Sequence, residues 1–409
     1  MLQTPEKEIA AAGFPVYFHG FSAIDSYLEC GAPNAFHILC GADLADLARI
    51  FEGLRYPGAS FADAALDLNG KTWYFRCDDC DDAENPRQSR ASFGFLDFYL
   101  DCKTGRYHDP NGISPILRGI KDSAKKGEPR SSPETRGILK NFNPRADPCR
   151  TVIDGAMILA RYFPETSTRE INSAANKFLA QCEGASRSHA LSQPLGPPPC
   201  AEEQRLLLVE LLSAPSPAPG FELLKSSGFI AAYWPELAVM DDVDHSKEFH
   251  PEGNVWKHTM ETLRYRKPAG QAAGFDLRLS LGLLLHDVGK PLSQTASHRR
   301  FDGHAQLGET QARRFLGRLG FDAPLIRDVC YLVRNHMLPA ALPRLPLFRT
   351  GEQMASPLFP LLMELYRCDE SSSFKGLDGY YQSSAAYQSY LRHRRNPYRS
   401  ADGKKLGRG

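Results

Sequence analysis

Long apolar runs are missing from this chain: none of its 409 residues lies in one approaching the roughly 20 needed to cross a bilayer. The opening stretch, MLQTPEKEIAAAGFPVYF, lacks the basic start and apolar segment of a secretory signal. The expectation is therefore a cytoplasmic protein with no membrane partner. An excess of charge is missing too, since 49 Lys and Arg stand against 48 Asp and Glu. Such a chain is neither a general polyanion binder nor an acidic solvated coil, so affinity for nucleic acid must come from local basic stretches. Paired cysteines are scarce. Of ten, only Cys77 and Cys80 make a CxxC, and no second pair completes a four-ligand zinc site. Free thiols in a reducing compartment are expected, with Cys77 and Cys80 in a turn.

What is present is enough sequence for two or three packed units, at about 100–200 residues each. Residues 1–116 read as an α/β head, with strands at Phe14–Phe18, Ala35–Cys40, Thr72–Cys77 and Phe93–Leu100 and a helix near Asp43–Leu54. Residues 117–148 change character. Arg118, Lys121, Lys125, Lys126, Arg130, Arg136, Lys140 and Arg145 alternate with Ser, Pro and Gly, which predicts a basic loop or linker. Residues 149–245 read as a helical neck: Arg150–Tyr162 and Glu202–Leu212 carry apolar residues at helix spacing, and PLGPPP (194–199) breaks the chain between them. Residues 246–391 read as all-helical. The tail 392–409 carries seven basic residues against one acidic and is expected to fray.

The strongest local signal is Leu281-Gly-Leu-Leu-Leu-His286-Asp287-Val-Gly289-Lys290-Pro291. An apolar helix delivers His286 and Asp287 into a buried place, where imidazole and carboxylate need partners; a divalent metal supplies one. Nitrogen with oxygen donors suits Mn, Fe, Co, Ni or Zn, and Mg less well. His258, His304, His336 and Asp369 lie before and after this pair, on helices or at their ends. One histidine in such a place is ordinarily a core or surface residue; the joint order H…HD…H…H…D points to a metal centre.

That order, with HPEGNVWKHT, LLLHDVGKP, GHAQLGE, VRNHM and RCDE around it, resembles the HD phosphohydrolase superfamily. The resemblance implies His258, His286, Asp287 and Asp369 as core metal ligands, with His304 and His336 added in members that hold two ions. One or two ions stays open here, and the presence of both histidines favours two. The catalytic residues implied are His286, Asp287 and Lys290. Asp287 would hold or bridge metal and orient water; Lys290 is either a phosphate-neutralising cation or an exposed helix-end lysine. His250 is either a substrate contact or a loop histidine.

A second resemblance, spread over residues 14–370, is to the bacterial tRNA nucleotidyltransferase and poly(A) polymerase family in forms that end in an HD domain. It rests on Phe95–Gly112, on Asp147-Pro148-Cys149-Arg150 and on the segment from Glu210 to Leu237. The head departs from that family where transfer chemistry is needed. The strand that should carry two carboxylates reads Ala35-Phe36-His37-Ile38-Leu39, and Asp43 and Asp46 stand three apart on a predicted helix rather than two apart on a strand. The family's RRDFT reads Arg90-Ala91-Ser92-Phe93-Gly94. Asp147 and Arg150 match residues that recognise the nucleotide base, and Arg90 is a further nucleotide candidate; the alternative for Asp147 and Arg150 is a helix cap with an ion pair. The fold class expected is mainly α, with an N-terminal α/β nucleotidyltransferase-like head, a helical neck and a C-terminal all-α HD domain. The expected activity is metal-dependent hydrolysis of phosphomonoesters or 2′,3′-cyclic phosphates of nucleotides or RNA ends. The partner would be nucleotide or RNA, tRNA included, held through the basic stretch and tail. Nucleotidyl transfer, or RNA binding without head catalysis, are the competing readings.

Overall fold

The computed structural model describes residues 4–30, 35–78, 93–126, 147–186, 195–244, 253–266, 276–293, 301–373 and 376–394. His250, Arg90, Cys80, residues 127–146 of the basic stretch and residues 395–409 of the tail lie outside them. The chain divides into two units, Met1–Tyr233 and Trp234–Gly409. The sequence reading placed a boundary near 245 instead. Residues before it, Trp234 among them, belong to the second unit, where the indole packs edge-on to Phe315.

The first unit opens with α1 (Pro5–Ala11), β1 (Val16–His19), α2 (Phe21–Leu28), β2 (Ala35–Cys40), α3 (Leu44–Ile50), β3 (Ala64–Leu68), β4 (Lys71–Cys77), β5 (Tyr99–Asp101) and β6 (Tyr107–His108). The strands form one mixed sheet in the order β3-β4-β2-β1-β5-β6, in which only β2 and β4 run parallel. Alternation divides its faces. Phe36, Ile38 and Cys40 of β2 join Trp73 and Phe75 of β4 in a core with Ile9 of α1 and Leu47 of α3. The opposite face carries Ala35 and Tyr74, against which Phe61, Cys200 and Leu206 pack. Asp43 caps α3 by accepting from the Asp46 backbone N–H at 2.8 Å, and the Asp46 carboxylate accepts from Arg49 Nη1 one turn on, so both acids serve the helix.

Two sequence expectations are corrected here. Gly94–Leu96 is a 3₁₀ turn rather than strand, held by Asn111 Nδ2 donating to the Gly94 carbonyl and to Asp97 Oδ2, and pairing begins only at Tyr99. Residues 117–126, expected as linker, form most of α4 (Ser114–Lys126). Asp109 starts that helix by accepting from the backbone N–H groups of Ile113 and Ser114, and Leu117 and Ile120 bury one narrow stripe. Two apolar anchors among so many charges hide the helical period. Cys77 ends β4, and Cys30, Cys40, Cys77, Cys102, Cys149, Cys200, Cys330 and Cys368 are free thiols.

The rest of the first unit is helical: α5 (Pro148–Tyr162), α6 (Thr168–Ser186), α7 (Ala201–Ser213), α8 (Pro217–Ser226) and α9 (Phe229–Tyr233). Ion pairs tie these helices to the α/β part of the unit. Arg161 pairs with both Asp25 and Glu210, and the Tyr162 hydroxyl donates to Asp25 at 2.6 Å. At the β3 edge of the sheet Arg55 joins Asp67 to Glu202 of α7.

The second unit is all helix: α10 (Pro235–Ala238), α11 (Val255–Arg264), α12 (Leu277–Leu285), α13 (Lys290–Ser293), α14 (His304–Arg318), α15 (Ala323–Asn335), α16 (Leu338–Ala341), α17 (Leu347–Ala355), α18 (Phe359–Ser371) and α19 (Asp378–Arg394). Helix α12 is its axis. Asp276 caps it, and α11, α15 and α18 surround it, which explains why LRLSLGLLL is apolar on nearly every side. No described helix is long and apolar enough to cross a membrane.

Candidate metal centre

Helix ends build the site. The last carbonyls of a helix have no intrahelical partner. His286 follows α12 and its Nδ1 lies 2.8 Å from the Leu283 carbonyl; His336 follows α15 and its Nδ1 lies 2.7 Å from the Val333 carbonyl. His304 begins α14 and turns its Nδ1 to the Phe301 carbonyl at 2.6 Å. A carbonyl only accepts, so each Nδ1 carries the hydrogen, and in the neutral ring each Nε2 presents a lone pair.

Those nitrogens converge on Asp287, which is 1% exposed. Its Oδ2 stands 3.3 Å from His286 Nε2 and 3.8 Å from His258 Nε2; its Oδ1 stands 3.6 Å from His304 Nε2 and 3.7 Å from His336 Nε2. Asp369, on α18, closes the first half, its Oδ1 3.0 Å from His258 Nε2 and 4.0 Å from His286 Nε2. Two triads share the aspartate: His258, His286 and Asp287, and Asp287, His304 and His336.

A divalent cation fits this donor set. His286 Nε2 is buried with no hydrogen-bond partner among the described residues. His304 Nε2 and His336 Nε2 approach to 3.0 Å, where two neutral rings in the tautomers fixed above have no hydrogen to share. A proton between them is opposed by the surroundings. Burial pushes His336 down to about 4, with His286 and His304 adding to the effect and Asp287 opposing it; burial also lowers His304, again against Asp287. Burial works to raise both carboxyls, yet each stays ionised. The Lys290 ammonium beside Asp287 helps hold its carboxyl well below its ordinary value, and a hydrogen bond from His258 lowers Asp369. Neutral nitrogens, ionised oxygens and burial are what a transition-metal ion requires.

Lys290 is neither an exposed helix-end lysine nor a free phosphate ligand. Its Nζ donates to Asp287 Oδ2 at 2.6 Å, and it lies 5.4 Å from the centre of the Phe301 ring. Gly289 lets the turn pass α14: a Cβ there would meet the His304 carbonyl at 2.1 Å and the Gly308 nitrogen at 2.4 Å.

The structure thus brings His258, His286, Asp287, Lys290, His304, His336 and Asp369 together, all within the second unit. Asp147 and Arg150 lie in the first. The Asp147 carboxylate caps α5, accepting from the Cys149 and Arg150 backbone N–H groups. Arg150 pairs with Asp154 and Glu203 and lies 4.7 Å from the Phe61 ring centre. Both line a cavity of about 200 Å³ with Ser60, Cys149 and Glu203. Sequence reasoning missed Ser372, whose Oγ is 3.3 Å from His258 Nδ1. Its only signal was its place three residues after Asp369.

The family model of the HD domain matches residues 255–368, so the second unit carries an HD domain. Relatives of the chain include a CC-adding tRNA nucleotidyltransferase of Thermus thermophilus, 34% identical over 143 residues, which are 34% of this chain and 32% of that protein. A Multifunctional CCA protein of Halorhodospira halophila is 37% identical over 31% of this chain and 29% of its own length. A bifunctional uridylyltransferase/uridylyl-removing enzyme of Mycobacterium tuberculosis is 32% identical over 65% of this chain and 32% of its own length. The chain covers less than a third of each of these relatives. Among solved structures, a Bacillus stearothermophilus CCA-adding enzyme in complex with CTP overlaps 95% of this chain and 81% of its own, at 16% identity and a TM-score of 0.47.

Proposed function

We propose that the HD domain is a metal-dependent phosphohydrolase acting on phosphomonoesters or 2′,3′-cyclic phosphates of nucleotides or RNA ends. The observation that carries this is the Asp287 carboxylate, set between two histidine pairs whose Nε2 atoms face its two oxygens. His258, His286, Asp369 and Asp287 Oδ2 would hold one ion, and His304, His336 and Asp287 Oδ1 a second. A bound divalent ion lowers the pKa of its water and polarises a phosphoryl oxygen.

The chain's own residues do the rest. Main-chain carbonyls keep the hydrogens of His286, His304 and His336 on Nδ1, and Lys290 holds Asp287 in place while supplying positive charge at the rim. Asp369, with its side chain 24% exposed, marks the side from which a phosphate reaches the site. The RNA-end substrate class is supported by a relative named a CC-adding tRNA nucleotidyltransferase. Asp147 and Arg150, beside their cavity, with Arg90, His250 and the basic stretch and tail, remain the candidates for nucleotide or RNA contact.

The experiment is metal-dependent phosphate release from 2′,3′-cyclic AMP and from an aryl phosphate, using chelator-stripped protein reloaded with Mn, Ni, Co or Mg. Turnover that needs metal and vanishes in His286→Ala and Asp287→Ala is expected. A folded, metal-loaded protein with no turnover on either compound overturns this substrate class. A second reading, nucleotidyl transfer, is favoured by the names of the relatives; incorporation of labelled CTP or ATP into tRNA decides it.

A further inference from the structure

Cys40 and Cys77 are the last residues of β2 and β4, the parallel pair of the sheet, and they stand opposite each other in its register. Neighbouring strands lie about 4.8 Å apart, inside the roughly 4.4–6.8 Å between Cα atoms that a disulfide spans. Both side chains leave the sheet on its core face, where Cys40 is part of the buried cluster and Cys77 packs against it. Cys40 Sγ lies 3.7 Å from the carbonyl oxygen of Arg76, the residue before Cys77. The two strand ends are tied as well, since the Asp78 backbone N–H donates to the Cys40 carbonyl at 3.1 Å.

The two sulfurs differ in what can reach them. Cys40 has no exposed surface, whereas Cys77 is only partly buried. A hydrogen bond from the Cys40 thiol lowers the Cys77 thiol from its ordinary value, against partial burial and the carboxylates of Asp63 and Asp43. Burial instead pushes Cys102, Cys149 and Cys368 up to about 12. The thiolate is the form that reacts with peroxides.

We propose that Cys77 is a peroxide-sensitive thiol and Cys40 its resolving partner, so that oxidation joins β2 to β4 by a disulfide. The Cys77 thiolate attacks the terminal oxygen of a hydroperoxide; the O–O bond breaks, Cys77 becomes a sulfenic acid, and the other oxygen leaves as an anion that takes a proton from water. The Cys40 thiol then attacks the sulfenic sulfur. An S–S bond forms, the S–OH bond breaks, and the hydroxide leaves with the Cys40 proton as water. The sulfurs lose two electrons in all, and the peroxide gains them. Cys102 cannot replace Cys40 or Cys77. Its backbone N–H donates to the carbonyl of Val16, which itself pairs with Cys40, so it stands two strand spacings from Cys40, about 10 Å. Cysteines more than about 7 Å apart at Cα are not bridged without backbone movement.

The test treats full-length wild type, Cys40→Ser and Cys102→Ser with hydrogen peroxide. Remaining thiols are blocked with N-ethylmaleimide, and unreduced peptides are mapped by mass spectrometry; a parallel sample contains dimedone, which traps sulfenic acids. The expected result is a Cys40–Cys77 linked peptide in wild type and Cys102→Ser, lost on adding dithiothreitol, and a dimedone adduct on Cys77 in Cys40→Ser. A Cys77–Cys80 link in its place overturns the inference. So does Cys77 carried to sulfinic or sulfonic acid while Cys40 stays a thiol, or Cys77 left unoxidised in folded wild type. The wild-type map decides the pairing even where a serine variant fails to fold.

Discussion

Gly289→Ala tests the geometry of the centre most directly. The added methyl would lie 2.1 Å from the His304 carbonyl oxygen, 2.4 Å from the Gly308 nitrogen and 2.9 Å from the Gly308 Cα. All three neighbours are backbone, so no side-chain rotation relieves the clash. Ordinary contact requires the first turn of α14 and the 286–290 turn to separate by about 1 Å. That displacement acts on His304 against Asp287 Oδ1, a pair now 3.6 Å apart, while ligand positions tolerate only about 0.2 Å. His258 and Asp369 lie on α11 and α18 and keep their places, while His286 moves together with Asp287 in the same turn. The variant should lose about 1–3 kcal/mol of stability from overpacking. It should retain one ion where wild type retains two, and turnover should fall about 10²-fold. Gly317, on the same helix, has nothing within 4 Å of a Cβ position, so Gly317→Ala is the control and should be neutral or slightly stabilising. Metal content by elemental analysis, urea denaturation and phosphate release would be measured together. A Gly289→Ala protein with wild-type metal content and stability would refute the reasoning.

Other perturbations have directions set by the same contacts. In metal-free protein His336 is held down to about 4 from an ordinary 6.5, so the unfolded chain binds more protons between those values. Stability should be fully present above about pH 6.5 and fall as the pH drops toward 4, read by denaturant titrations at several pH values. The same series on His336→Gln should show a shallower fall. Lys290→Met removes the cation on Asp287 Oδ2 but no ligand, so metal content should persist while turnover drops about 10²-fold. Loss of metal in that variant would instead show that Lys290 chiefly fixes Asp287. Arg161→Met strands Asp25 and Glu210 in the first unit without their shared cation, and should cost about 3–5 kcal/mol in urea denaturation. A loss under 1 kcal/mol would mean the pairs are effectively hydrated.

Local chemistry made part of this molecule legible. The apolar run before His286-Asp287 reads as a helix buried on all sides, because no polar face interrupts Leu279–Leu285, and that is how α12 sits. Asp43 opens the helix read near Asp43–Leu54, and Asp147 fits the helix-cap alternative, because their carboxylates satisfy backbone N–H groups within three residues. The order of histidines and aspartates pointed to His258, His286, Asp287, His304, His336 and Asp369, which the fold brings near one another, because the residue types able to hold a metal are few. Four decisions needed the fold. Helix α4 gains its stability from burying Leu117 and Ile120, which its charge pattern conceals. Arg150 is engaged by Asp154, which is near in sequence, and by Glu203, which is not. Lys290 turns inward to Asp287, an outcome that spacing along the chain leaves open. Ser372 meets His258 across 114 residues of chain. A residue's type and its near neighbours determine which bonds it can make; only packing brings together partners distant in sequence and decides which bonds are made.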